Sequence, residues 1–190
     1  MIELLLVKPF GSIWNLKRLC QRTRLPILKR LYASIYNLYQ HNNGSSIALE
    51  SVFKGEPCLP HGTKGIFISG GAEIGKNCVI FPQVVVGSNA LSDSETAGAP
   101  RIGDNCYIGA GAKIVGKVRV GENVRVGANA VVYRDVPDNS VVTSGEQTIT
   151  TRDTPLDNRF YSYIGKWVYF DDGKWKPVTD IEVLKKLGEI

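Results

Sequence analysis

Of 190 residues only two are histidines, His41 and His61. An imidazole titrates near neutral pH, so it can take a proton from a hydroxyl and return it within one cycle. His61 sits in L-P-H-G-T-K-G-I-F-I (residues 59–68), a stretch that interrupts a regular pattern on either side. His41 follows a helical run and reads as a solvated turn residue. Most loop histidines are structural or inert, so residue type alone does not make His61 a base. A second interruption, S-N-A-L-S-D-S-E-T-A-G-A-P-R (88–101), brings two carboxylates, Asp93 and Glu95. Four cysteines (Cys20, Cys58, Cys78, Cys106) form no C-x-x-C pair and no zinc spacing. Two histidines cannot supply a three-histidine zinc site, so no metal is expected.

The scaffold that must hold these residues is legible between positions 102 and 132. An aliphatic residue recurs every sixth position: Ile102, Ile108, Ile114, Val120, Val126 and Val132. The fifth residue of each hexad is small, among them Cys106, Ala112 and Ala130. A period of six fits neither an amphipathic helix nor an isolated hairpin and marks an internal repeat. The physical reading is a prism-shaped coil of short parallel strands, with one hexad to each flat face and the aliphatic residue pointing inward. Corners need backbone that most residues resist; glycine lacks a clashing Cβ, and asparagine tolerates the left-handed region. Glycine accordingly follows the aliphatic residue at Gly103, Gly109, Gly121 and Gly127. Asparagine stands fourth at Asn77, Asn105, Asn123 and Asn129. The rhythm extends back through Ile68, Ile74, Ile80 and Val86, and begins irregularly from about Val52. Val86 and Ile102 are not a multiple of six apart, so residues 88–101 must leave the coil as a loop. Loops carried on rigid scaffolds often hold function.

Length and composition (43% hydrophobic, 22% charged) suit one main domain with appendages. No apolar run approaches a membrane span, and M-I-E-L-L-L-V-K-P-F does not read as a secretory signal, so the cytoplasm is the expected compartment. The formal charge of +5 is uneven. Residues 1–30 hold Lys8, Lys17, Arg18, Arg22, Arg24, Lys29 and Arg30 against Glu3 alone, and no nucleic-acid-binding motif accompanies them. Residues 12–24 and 26–40 have helical spacing, with Pro26 acceptable at a helix start. Two readings of this basic segment stand: a helical pair packed on the end of the coil stack, or a basic amphipathic surface giving peripheral contact with anionic lipid. Near the C-terminus, K-W-V-Y-F-D-D-G-K-W-K-P-V suggests a hairpin turning at Asp172-Gly173. Thr179-x-x-Glu182 resembles a capping box for a helix over 180–188. Trp167, Tyr169 and Trp175 are expected to pack this tail, with sugar stacking as the lesser alternative. The expected domains are a basic helical segment (1–50), a repeat domain (51–145) and a C-terminal arm (146–190).

Residues 52–143 resemble the hexapeptide-repeat acyltransferases, most closely the serine-acetyltransferase-like branch. The resemblance rests on L-P-H-G-T-K-G-I-F-I and G-A-P-R-I-G-D-N. It rests also on Y-I-G-A-G-A-K-I-V-G, V-G-A-N-A-V-V and V-P-D-N-S-V-V. It implies a mainly β fold: a left-handed parallel β-helix with N-terminal α-helices and a short C-terminal hairpin-helix appendage. Composition could not give that hand, and the general crossover rule would give the opposite. The resemblance further implies a homotrimer with sites between subunits and acetyl-CoA along the coil edge. His61 matches the family's catalytic histidine in its H-x-x-x-G-I-x-I setting. Gly87, Ala110 and Ala128 match positions that leave room for the pantetheine arm, although smallness there equally satisfies the repeat.

Three departures bear on the substrates. Ala99 replaces the family's second histidine, Pro60 replaces the aspartate before the first, and V-V-T-S-G-E-Q-T-I replaces G-x-P-A-[RK]. Asp93 or Glu95 are candidates to stand in on the acceptor side. Lys113, Lys117, Arg119, Arg125 and Arg134 are candidates for the CoA phosphates. The expectation is therefore an acetyl-CoA-dependent O-acetyltransferase acting on a small-molecule or glycan acceptor, with a sugar hydroxyl ahead of L-serine. A non-catalytic scaffold is the remaining alternative.

Overall fold

The structure, a computed structural model, describes residues 7–145, 160–171 and 174–188. Thirteen of its strands are two or three residues long and build three flat parallel faces. The first face stacks β1 (Ser46–Ile47), β3 (Phe67–Ile68), β6 (Val85–Gly87), β9 (Lys113–Val115) and β12 (Val131–Val132). The second stacks β2 (Val52–Phe53), β4 (Glu73–Ile74), β7 (Arg101–Ile102) and β10 (Arg119–Val120). The third stacks β5 (Val79–Ile80), β8 (Tyr107–Ile108), β11 (Arg125–Val126) and β13 (Val141–Val142). Three hexads make one coil, which is why Ile114 pairs in register with Val132 and Ile108 with Val126.

The inward positions are those the six-residue rhythm selects. Ile68, Ile74, Ile80, Val86, Ile102, Ile108, Ile114, Val120, Val126 and Val132 are all buried in one cluster. The small fifth residues Ala72, Cys78, Cys106, Ala112, Val118, Val124 and Ala130 are buried with them. Neighbours just before the inward residue, such as Arg101, Tyr107 and Arg119, point to solvent, as strand alternation requires.

Asparagine and glycine divide the corner work differently from the sequence expectation. Asn77, Asn105, Asn123 and Asn129 all have φ between 53° and 57°, joined by Asn139 at 58°. At the corner between the second and third faces four of them pair, Asn77 Nδ2 donating to Asn105 Oδ1 and Asn123 Nδ2 to Asn139 Oδ1, each at 3.2 Å. Gly103 and Gly109 do not take a positive φ. They are required by close stacking: a Cβ on Gly103 would lie 2.6 Å from the Gly121 carbonyl oxygen, and one on Gly109 2.7 Å from the Ala128 nitrogen.

The coil departs from its period in three places. Ile47 pairs with Ile68 and Phe53 with Ile74, so three extra residues enter before β3, in the stretch holding His61. Val86 pairs with Ile114 across ten extra residues, which leave the coil within the loop at 88–101. Val120 bridges to Val136, so the corner after β12 is two residues short.

At the open end of the first coil lie α1 (Ile13–Arg22) and α2 (Pro26–Asn42). Ser12 caps α1 by accepting from the Asn15 amide, and Pro26 occupies the first turn of α2, where its missing N–H costs nothing. Leu16, Cys20 and Tyr36 are buried between the helices and the coil, and the Tyr36 hydroxyl donates to the Ile47 carbonyl at 2.8 Å. The packed-pair reading of this segment is therefore right for its inner side. Lys17, one of the basic residues of this segment, faces inward. It is buried, and its Nζ donates to the carbonyls of Leu49 (2.6 Å) and Ser51 (2.8 Å). Desolvation pulls its pKa down to about 8, against smaller opposing attraction from Glu50 and Cys20.

At the C-terminus β15 (Trp167–Asp171) and β16 (Lys174–Pro177) pair antiparallel as the hairpin reading requires. The turn residues Asp172 and Gly173 lie outside the described residues. A third strand, β14 (Phe160–Tyr163), pairs with β15 in a stretch the sequence did not mark as structured. The last helix, α3 (Ile181–Lys186), is capped by Asp180 and not by Thr179. Asp180 accepts from Glu182 N and Val183 N, and a carboxylate also favours the positive end of the helix. The aromatic residues of this sheet meet one another, Tyr161 with Tyr169 and Tyr163 with Trp167, while Trp175 is half exposed.

Candidate active site

His61 sits on the corner between the third and first faces, in a turn over residues 60–65. Backbone bonds pin that turn: Gly62 N to Leu59 O at 3.0 Å and Gly65 N to Asn43 O at 3.1 Å. Gly62 and Gly65 take φ of 70° and 66°, values an L side chain resists. Thr63, between them, is buried against Ser45. The backbone is thus fixed while the His61 side chain is exposed. Among the described residues no hydrogen bond orients its ring, and its aromatic neighbour is Phe81 at 6.0 Å between centroids.

That contact opens a ladder the sequence reading missed. Phe81 stacks on Tyr107 at 5.0 Å, and the Arg125 guanidinium stands 5.9 Å from the Tyr107 ring. The signal was present in the repeat: Phe81 occupies the place where the next two coils carry Gly109 and Gly127. Parallel stacking brings every such place to one column, so a single bulky residue there stands against its neighbours on the outer surface.

Ala110 and Ala128 lie on the same corner as His61, both exposed, with Asn129 N donating to Ala110 O at 2.9 Å. A larger side chain at either position would project into the space along this corner. Gly87 lies at the opposite edge of the first face, paired with Val115, where the loop departs. The loop is closed at its neck by mutual backbone bonds of Asn89 and Gly98 (2.8 and 2.9 Å). The Asn89 side chain holds Ser94 at 2.8 Å and Thr96 at 3.2 Å. Lys117 N donates to Thr96 O at 2.8 Å, which ties the loop down to the next coil. Asp93 and Glu95 are exposed on it. Within one chain the structure thus brings together His61, Ala110 and Ala128, while Gly87, Asp93 and Glu95 sit at the other edge of the same face.

The candidate phosphate-binding cations are dispersed. Lys113 is on the first face with Nζ donating to Gly111 O at 3.0 Å, Arg119 on the second, and Arg125 on the third. Arg134 lies over Tyr133 at 5.2 Å, and Lys117 backs the loop. Cys78 and Cys106 are core residues, with Sγ contacts of 3.3 Å to Gly103 O and 3.1 Å to Gly121 O. The Cys106 contact and burial push the Cys78 thiol up, as suits packing better than chemistry. Among the described residues no group of three or more His, Cys, Asp or Glu could hold a metal ion. A cleft of about 400 Å³ lies elsewhere, between α1 and β2, lined by Trp14, Lys17, Arg18 and Phe53.

This architecture is that of a left-handed parallel β-helix of hexapeptide repeats preceded by helices. Residues 99–134 match the family model "Bacterial transferase hexapeptide (six repeats)". Among solved structures, the chain resembles the serine acetyltransferase of Neisseria gonorrhoeae in complex with serine: 30% identity, TM-score 0.58, covering 70% of this chain and 53% of that one. The soybean serine acetyltransferase complexed with serine follows, with 27% identity, TM-score 0.55 and coverage of 67% and 49%. A serine acetyltransferase in complex with CoA gives 25% identity, TM-score 0.55 and coverage of 68% and 50%. The chain spans about half the length of each of these enzymes. No curated protein matches it in sequence.

Proposed function

We propose that the protein is an acetyl-CoA-dependent O-acetyltransferase with His61 as general base. The observation that carries this reading is the position of His61. It projects from a pinned turn at a break in the coil, on the corner that also exposes Ala110 and Ala128. An alcohol is a poor nucleophile while protonated. His61 would take the hydroxyl proton as the acceptor oxygen attacks the thioester carbonyl. It would then return that proton to the departing CoA sulfur, so that the base ends each turnover as it began. The corner with Ala110 and Ala128 would carry the pantetheine arm. Asp93 and Glu95 lie at the other edge of the face from His61, so a role for either beside a histidine requires the histidine of a neighbouring chain, as in a homotrimer.

L-Serine is the acceptor the comparisons favour, since the similar structures are serine acetyltransferases, two of them holding serine. That ranks serine above the sugar hydroxyl expected from sequence. Pro60 and Ala99 favour the second reading: they stand where the serine-acetyltransferase-like branch carries acceptor-side aspartate and histidine. Release of CoA thiol, followed with L-serine and with nucleotide sugars in parallel, separates the two. Under either reading His61→Ala should lower kcat by about 10²–10⁴-fold with acetyl-CoA binding retained. Undiminished turnover in His61→Ala would remove the base assignment; absence of acetyl-CoA binding by the wild type would leave a scaffold.

A further inference from the structure

One surface has no place in the proposed acetyl transfer: the turn between α1 and α2 and the outer side of α2. Leu25 is 63% and Ile27 82% exposed, and Leu28, Leu31 and Leu38 are exposed beside them. Ile27 precedes the buried Tyr36 by nine residues, or about two and a half helical turns, which turns it to the opposite side of α2. Leu31 and Leu38 lie near the Ile27 line, so α2 carries a second apolar stripe directed away from the coil. Four exposed cations, Arg22, Arg24, Lys29 and Arg30, stand around the turn. None of the four has an ion-pair partner among the described residues. From residue 4 to residue 49 the sequence contains no Asp or Glu. The other basic residues of α1 are committed elsewhere, Lys17 to buried carbonyls and Arg18 to Glu56 at 2.8 Å.

We infer that this stripe and its cations form a docking surface for an anionic lipid bilayer. Apolar side chains ringed by cations are the composition that lies in a membrane interface, with the aliphatic groups in the acyl boundary and the guanidinium groups at the phosphates. Charge decides against a two-fold pairing of this surface with itself. A two-fold pairing would set four cations against the same four with no carboxylate to intervene, whereas an anionic surface neutralises them. The mode is contact, not insertion, because no helix among the described residues is long and apolar enough to cross a membrane. The surface stands on its own residues and does not depend on the acetyl-transfer reading.

The test sediments the full-length protein with vesicles of phosphatidylcholine alone or with about 30% phosphatidylglycerol, a fraction that gives a negative surface potential. The protein should pellet with the anionic vesicles and stay in solution with the neutral ones. Salt at about 0.5 M, which screens beyond a few ångströms, should release it from the first. Arg24→Gln with Arg30→Gln should weaken binding roughly fivefold per cation removed. Ile27→Ser with Leu31→Ser should weaken it by about tenfold or more. All four side chains are exposed, so the melting temperature should hold, and the salt arm reads the wild type without any substitution. Failure of the wild type to pellet with anionic vesicles overturns the inference, as does unchanged pelleting of Ile27→Ser/Leu31→Ser. A drop in oligomeric mass of that variant by light scattering would overturn it in favour of a chain–chain interface.

Discussion

Val131 and Val132 are neighbours of the same type on one strand, and the fold assigns them opposite fates. Val132 is 3% exposed and stacks in register on Ile114; Val131 is 52% exposed and stacks on Lys113. Substitution by alanine removes the same two carbons from each. At Val132 the lost transfer free energy is about 0.8 kcal/mol per carbon, and the cavity left under Ile114 raises the total to about 2–3 kcal/mol. At Val131 about half of the side chain already meets water, so the change should stay within ~0.5 kcal/mol. For a chain of this length about 1 kcal/mol corresponds to roughly 2–4 °C in melting temperature. Val132→Ala should therefore melt about 5–10 °C below wild type, and Val131→Ala within about 2 °C. Both are read by thermal and guanidinium unfolding at one protein concentration, since association would shift apparent stability. Equal penalties, or a larger one at Val131, would refute the register, because a one-residue slip exchanges the faces of the whole strand.

Other expectations follow from the same geometry. Ile108→Asp places a carboxylate at the fully buried centre of the coil; its cost approaches the whole stability of a domain, about 5–15 kcal/mol, and the product should be insoluble or unfolded. Soluble Ile108→Asp with a wild-type melting curve would contradict the coil. Asn105, at φ 57°, should lose about 1–2 kcal/mol on change to alanine and clearly less on change to glycine, since both lose the bond from Asn77 and only alanine resists the left-handed region; a glycine variant no more stable than the alanine one would show that φ does not set the cost at this corner. Lys17 makes stability depend on pH with a definite sign. Its folded pKa of about 8 lies below the unfolded value, so between about pH 8 and 10.4 the unfolded chain holds more protons and stability rises with pH. Relative to Lys17→Met, the wild type should gain at most about 3 kcal/mol across that window in urea unfolding. Parallel pH curves for the two proteins would remove the buried charge as the cause.

The six-residue rhythm by itself determined the coil, its inward residues and two of its three breaks, at His61 and at the loop; the shortened corner after Val132 came from the structure. Every sixth aliphatic position can be buried only if the chain turns at the same interval, so period and core are one statement. It also placed asparagine at the left-handed corners, because a local backbone requirement leaves a local mark. What glycine does at Gly103 and Gly109 was not local: the atoms that exclude a Cβ belong to the next coil. For the same reason His61, Ala110 and Ala128 are far apart in sequence but share a corner, and Phe81 and Tyr107 meet only through stacking. The helical segment followed the same division. Its spacing and charge were plain in the sequence, but the burial of Lys17 and the exposure of Ile27 were not. Both sit on well-formed helical turns, and only the docking of α1 and α2 onto the first coil decides which side of each turn meets protein and which meets solvent.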